Sequence, residues 1–263
     1  MQTYLALARL AFQRQLSYRT ANLAGLVTNA FFGALRAAVL VALFGAQTSA
    51  AGYSVQAAVT YTGLTQALLA YIAIFGWWDM MRSIRTGEVA AHLAQPVNYF
   101  FYWGAQDCGR ALGQLLWRGL PIMLLYALIY HIAWPPTIWH WLALLAALPL
   151  ALFISFAWRF IVSLAAFWTH DAIGVGRAAW TVSIFCSGFM MPVAFYPPGL
   201  ARLMRLTPFP AMISTPVEIY LGLIDGRGLL TALFTQLAWC ALLYAAAQVA
   251  LAAGVKKLVI HGG

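Results

Sequence analysis

Apolar stretches of at least about 18 residues recur along the whole chain, each long enough to cross about 30 Å of hydrocarbon as a helix. Charged residues make up only 8% of the 263 positions and hydrophobic residues 63%. An ordinary soluble domain is about 25% charged and about 45–50% apolar. A water-soluble fold is therefore excluded. A spanning β-barrel needs short strands that alternate apolar and polar residues, and no such period appears. The expectation is one all-α integral membrane domain over residues 1–263, with about six transmembrane helices.

The first span runs roughly from Asn22 to Phe44, and a short polar connection, Gln47 to Ser54, leads to a second from about Val55 to Trp78. A long polar stretch follows, with Arg82, Arg85, Glu88, His92, Gln95, Asn98, Asp107 and Arg110. The third span covers about Leu112 to Tyr130, and the fourth about Trp141 to Trp168. After a tight turn at Thr169, His170 and Asp171, the fifth reaches about Phe195. Residues 191–228 are punctuated by Pro192, Pro197, Pro198, Pro208, Pro210 and Pro216, yet stay too apolar for a solvated loop. They read as short re-entrant or interfacial helices on the outer face. The sixth span, about Leu229 to Ala253, ends at Lys256 and Lys257.

Charge placement sets the expected orientation. Arg9, Arg14, Arg19, Arg82, Arg85, Arg110, Arg118, Arg177, Lys256 and Lys257 fall on one side or at that side's helix ends. By the positive-inside rule that side is cytoplasmic, and both termini lie there, as in a multi-pass protein of a bacterial inner membrane. The formal net charge of +9 therefore reports topology and contact with lipid, with no nucleic-acid partner. Residues 1–20 carry no cleavable signal; Leu5, Ala8, Leu10, Phe12 and Leu16 interleave with Arg9, Gln13 and Arg14 as in a helix lying on the membrane surface. Trp77, Trp78, Trp103, Trp134, Trp139, Trp168 and Trp180 gather near span ends, where indole rings suit the headgroup region. Cys108, Cys186 and Cys240 lie far apart, with neither a disulfide framework nor a zinc spacing.

Buried charges mark function in membranes because they are costly there, and this sequence shows almost none within its apolar runs. Arg36 is the main exception: either it snorkels to the outer headgroups, or it meets an anionic substrate group or an interhelical partner. Arg159 sits near the inner end of its span, where it can snorkel. Asp79 and Glu88 lie beyond a span end and cannot relay protons through the bilayer. A phosphate-cradling GxxxxGK[ST] loop needs a lysine, and the only lysines are Lys256 and Lys257. The chain itself is thus read as no enzyme and as holding no cofactor. His92, His131, His140, His170 and His261 are scattered, which leaves haem ligation in a redox-enzyme anchor as a formal alternative.

The segment Ser83 to Asn98, with Gly87-Glu88 followed by Leu93 and Pro96, is similar to the intracellular coupling stretch of ABC-2 type permeases. The proline-punctuated run from Pro192 to Gly222 resembles the outer re-entrant helices of that family, and residues 1–20 its interfacial connecting helix. The resemblance covers essentially the full length. It implies a permease subunit of the type V exporter-like fold, one half of a substrate path. Its partners would be nucleotide-binding ATPase subunits, which carry ATP and Mg, and a second permease, identical or related. Residues 83–98 would be the coupling-helix loop, with Arg85, Thr86, Gly87, Glu88, Val89, His92 and Leu93 meeting the ATPase. Glu88 would act by charge or by capping a short helix, with Arg82 and Arg85 beside it. Arg36, Met190, Met191, Phe195 and Pro197 are the candidate pathway or gate residues. An ATP-independent secondary transporter or channel is the other alternative.

Overall fold

A computed structural model describes residues 1–76, 78–169 and 172–257. The turn expected at His170 and Asp171, and Trp77 and His261, lie outside the described residues. Twelve α-helices are seen among the described residues: α1 (Gln2–Ser17), α2 (Arg19–Phe44), α3 (Val55–Tyr71), α4 (Asp79–Arg85), α5 (Val89–Leu93), α6 (Tyr99–Gln114), α7 (Leu120–Ile129), α8 (Ile138–Leu164), α9 (Ala172–Cys186), α10 (Pro198–Arg205), α11 (Ser214–Tyr220) and α12 (Arg227–Val255). A small hairpin, β1 (Ser49–Ala50) and β2 (Tyr53–Ser54), separates α2 from α3. Its two turn residues, Ala51 and Gly52, both have positive φ, the geometry a two-residue hairpin turn requires.

Among the described residues four stretches are long and apolar enough to cross a membrane: Arg19–Phe44, Tyr99–Ile129, Ile138–Phe167 and Arg227–Val255. The polarity of α2 is inverted relative to a soluble helix. Its buried face is Asn22, Gly25, Asn29, Gly33, Ala37, Leu40 and Phe44, at helical spacing. Its exposed face carries Leu23, Val27, Phe31, Leu35, Val39 and Leu43, the last 72% exposed. Small and polar residues at helix contacts, with bulky apolar ones outside, are what hydrocarbon as solvent selects. Leu128 and Val249, 80% and 71% exposed, repeat the pattern on α7 and α12.

Helix α3 lies at the centre: every residue from Ala57 to Tyr71 is buried. The Ser54 Oγ accepts the Ala57 N–H at 3.1 Å and fixes its start. The sequence reading carried this element to Trp78, but the helix stops at Tyr71. A joint follows in which Ala73 and Gly76 have positive φ, and α4 begins only at Asp79. At 17 residues α3 is about 26 Å long.

The third span also differs from the sequence reading, which began it at Leu112. The helix starts at Tyr99, capped by Asn98 Oδ1, which accepts the Phe101 N–H at 3.2 Å. It runs through a π turn, Leu115–Gly119, into α7. Pro121 explains the wide turn, since it has no N–H to offer the carbonyl four residues before it. The residues from Tyr99 to Arg110 are therefore helix rather than loop.

In α8, Pro149 likewise interrupts the hydrogen-bond ladder. Neighbouring carbonyls take outside donors: the Tyr71 hydroxyl reaches Leu148 O at 3.2 Å, and Gln236 Nε2 reaches Ala147 O at 3.3 Å. The same amide donates to Ala211 O at 2.8 Å, so one polar residue of α12 ties α8 to the turn before α11. The proline-rich run is made of α10, α11 and two 3-10 turns, Val193–Phe195 and Pro210–Met212. Met212, Ile213, Val217 and Ile219 are fully buried there. Trp134, Trp139 and Trp168 are exposed, whereas Trp103, read as an interfacial residue, is buried.

Candidate functional site

The polar bend between α4 and α6 has an exposed tip on an apolar foot. Arg85, Thr86, Gly87 and Glu88 are all exposed. Gly87 turns the chain with φ +80, and open space surrounds it. Glu88 occupies the N-cap position of α5, but its side chain accepts no capping hydrogen bond. Among the described residues neither Glu88 nor Arg85 has an ion pair; Arg82 pairs instead with Asp79 at 3.8 Å, both well exposed. The other expected coupling residues point the opposite way. Val89 is 1% exposed and belongs to the main core with Met80 and Ile84, and Leu93 packs against it. His92 lies among Tyr99, Tyr102 and Trp103, its Nε2 3.4 Å from the Tyr102 hydroxyl. The tip can meet a partner, while the foot can carry displacement into the bundle.

Beneath the bend lies a charge cluster that the sequence did not reveal. Asp107 is 1% exposed, and its carboxylate is held between two guanidiniums. Arg110 Nε donates to Oδ1 at 2.8 Å, and Arg159 Nη2 donates to Oδ2 at 2.7 Å. Arg110 goes on to donate to the carbonyls of Ala70 and Tyr71, at 2.6 and 2.8 Å. These are last-turn carbonyls of α3, at the negative end of the helix dipole, and Ala70 O also accepts the Ala73 N–H at 3.4 Å. Ser155 Oγ donates to the next carbonyl, Ile72 O, at 2.6 Å and also accepts from Arg159 Nε at 3.3 Å. The cluster thus clamps α6 and α8 onto the joint at which α3 ends. Arg159 does not snorkel; it is buried and paired. The interior is less charge-poor than the sequence suggests, and in this cluster the charges are spent on one another.

A second cluster sits near the β1–β2 hairpin. The Glu218 carboxylate accepts from Ser214 Oγ at 3.0 Å, from the Tyr53 hydroxyl at 3.4 Å and from Arg205 at 3.3 and 3.4 Å. Burial, reinforced by the Glu218 charge, pushes the Tyr53 hydroxyl well above the usual phenol range, so it stays a donor. Phe195 packs on Tyr53 at 5.3 Å and on Phe44 at 6.2 Å, which joins this cluster to the end of α2. Glu218 was not among the expected site residues.

Arg36 is half-buried, bonded to Thr65 Oγ1 of α3, with its guanidinium 4.4 Å from the Phe189 ring centre. Of the readings open for it, the interhelical partner is the one present. Met190, next to Phe189, is 44% exposed, Met191 is half-buried, and Pro197 is exposed at the start of α10. Phe195 thus joins the Glu218 cluster through Tyr53 while Arg36 meets Phe189, and both rings border the same main core.

A family model described as "ABC-2 family transporter protein" matches residues 33–262. It begins within α2 and takes in the bend, both clusters and α12. No curated protein matches the chain.

Proposed function

The chain belongs to the ABC-2 transporter family, whose members are membrane permeases working with ATPase subunits, and from that premise we propose that it is the permease half of an ATP-driven exporter. Two permeases, identical or related, would face each other, with α3 and α9 completing six crossings per chain. Both termini and the α4–α6 bend would lie in the cytoplasm, at a bacterial inner membrane, as the arginine distribution favours. ATP and Mg bind the partner ATPases, whose closure pushes on Arg85, Thr86, Gly87 and Glu88. Val89, His92 and Leu93 pass that push to the core and to the joint after α3. Coupling needs an element with two arrangements whose balance ATP shifts. The joint is the best candidate, because it interrupts a buried helix between the bend and the outer cluster. Phe195 and Pro197 then seal the outer exit, with Met190 and Met191 as soft apolar lining. Arg36 ties α2 to α3 beside them.

The observation that carries this reading is the bend itself, a charged exposed tip on a foot that shares the main core with α3. Its test is a charge reversal at the tip, Arg85→Glu with Glu88→Arg, in the complex with its ATPase. Exposed substitutions of this kind shift stability by only about 0.5 kcal/mol, so insertion and thermal midpoint stay as in the wild type. Transport per ATP hydrolysed is expected to fall about tenfold or more, a loss of about 1.4 kcal/mol in coupling. Unchanged coupling in that variant removes the assignment. Solute movement by the purified chain alone would favour the channel or secondary-transporter reading instead.

A further inference from the structure

Next to the α3–α4 joint, on the side of the bend, an open cleft of about 300 Å³ is lined by Phe75, Trp78, Arg82, Ile173, Arg177 and Trp180. Its walls are aromatic. Phe75 meets Trp180 edge-on at 5.5 Å, and the Trp78 ring lies so close over Gly176 that a Cβ there would fall 2.1 Å from it. Among the described residues its side-chain polar groups are all donors: two guanidiniums, the Trp78 indole N–H, and the Trp180 indole N–H, which is buried with no hydrogen-bond partner among them. Arg82 is shared with Asp79 at 3.8 Å, but among the described residues the Arg177 side chain has neither ion pair nor hydrogen bond. The Glu218 cluster by contrast is balanced, since Arg205 there faces Glu218. Aromatic clefts usually favour cations; two like charges at the rim reverse that preference. Ile173, in the first turn of α9, brings the positive end of that helix to the same place.

We propose that this cleft binds a lipophilic anion, a carboxylate, sulfonate or phosphate carried on an aromatic or acyl body. The apolar body lies between Phe75, Trp78 and Trp180, and the anionic head takes charge-assisted bonds from Arg177 and Arg82. The position beside the joint means that an occupant loads the segment through which the bend moves the bundle. Its meaning as a substrate entry site rests on the permease reading; the binding itself does not.

The test is equilibrium binding of naphthalene-2-sulfonate to the purified chain in phosphatidylcholine nanodiscs, without any ATPase, beside 2-naphthylmethanol and 2-naphthylmethylammonium. Saturable binding of the sulfonate is expected, with the neutral and cationic analogues at least about tenfold weaker. Arg177→Gln is expected to raise the Kd about tenfold and Trp180→Phe about threefold, since a benzene ring stays while the N–H goes together with the pyrrole half of the indole. Arg202→Gln, on α10 outside the cleft, leaves it unchanged. Equal binding of the three probes, or an Arg177→Gln variant with wild-type affinity and wild-type thermal midpoint, overturns the proposal. Adding phosphatidylglycerol separates the sources: competition means that lipid headgroups fill the site, and no competition means a soluble anion, the class being supported in both cases. Because no nucleotide is involved, failure here leaves the coupling test standing, and failure of coupling leaves this binding result intact.

Discussion

Asp107→Asn is expected to destabilise the folded chain by about 3–5 kcal/mol, the usual cost of removing one partner from a buried ion pair. Among the described residues the carboxylate is the only acid paired with Arg110 and Arg159, at 2.8 and 2.7 Å. Its amide replacement keeps the size but leaves two buried guanidiniums facing each other. Arg110 has a partial substitute in the Ala70 and Tyr71 carbonyls; Arg159 retains Ser155 Oγ at 3.3 Å and at most a share of the one amide oxygen. Removing charges in pairs should therefore be much milder than removing one. The double variant Asp107→Leu with Arg159→Met is expected to recover more than half of the loss, since buried ion pairs are commonly replaceable by apolar groups of similar volume. Unfolding midpoints of the three proteins in one detergent check both statements. A midpoint for Asp107→Asn equal to the wild type would mean that the two arginines do not depend on this carboxylate.

How much of this could be read from the sequence depended on how far each partner lay along the chain. The apolar runs of α2, α8 and α12 were legible because hydrocarbon selects them residue by residue. The exposed tip at Gly87 and Glu88 was legible because polar residues break those runs. Asp107 and Arg110 were placed in a loop because hydropathy counts charge and does not see its neutralisation. Arg159, the second partner of Asp107, stands 52 positions away in another apolar run, where snorkelling is the cheaper local reading. One local signal was available: Trp103, Asp107, Ala111 and Gln114 continue the helical spacing of the third span backwards, with Gly109 and Gly113 beside them. Glu218 escaped for the same reason, since Tyr53, one of its donors, is 165 positions away and its setting reads as proline-rich surface. The stop of α3 at Tyr71 was illegible too: Gly76 lies within the apolar run, but it comes after the break, and the carbonyls at the break are held by Arg110 and Ser155, far along the chain.

Gly109→Val is the second change of large expected effect, and it acts on the attachment of α1. That helix lies parallel to α6, with the Asn98 N–H donating to the Tyr4 hydroxyl at 3.0 Å at one end. At the other end Gln114 Nε2 donates to Gln15 Oε1 at 2.6 Å and to Asn22 Oδ1 at 3.2 Å. Between these points a Cβ on Gly109 would lie 1.9 Å from Ala8 O and 2.8 Å from Ala8 C. Both are backbone atoms, so no rotamer change relieves the overlap. At Gly113, by contrast, the nearest atom is Gln15 Cβ at 2.7 Å, and at Gly104 it is the edge of the Phe156 ring at 3.2 Å. Overpacking of this kind costs about 1–3 kcal/mol when the neighbours must shift. No residue of α1 is buried, so little holds it down, and the chain relieves the strain by releasing α1 rather than by unfolding the bundle. Tryptic cleavage after Arg9 and Arg14 in reconstituted vesicles is therefore expected to speed up about tenfold, matching about 1.4 kcal/mol of weakened docking. The thermal midpoint of the remaining chain stays near the wild type. Gly104→Ala, whose contact is a side-chain ring, is expected to leave the cleavage rate within about twofold. Equal cleavage of wild type and Gly109→Val would mean that α1 is already free of α6 in the bilayer, and that the small residues along α6 serve another neighbour.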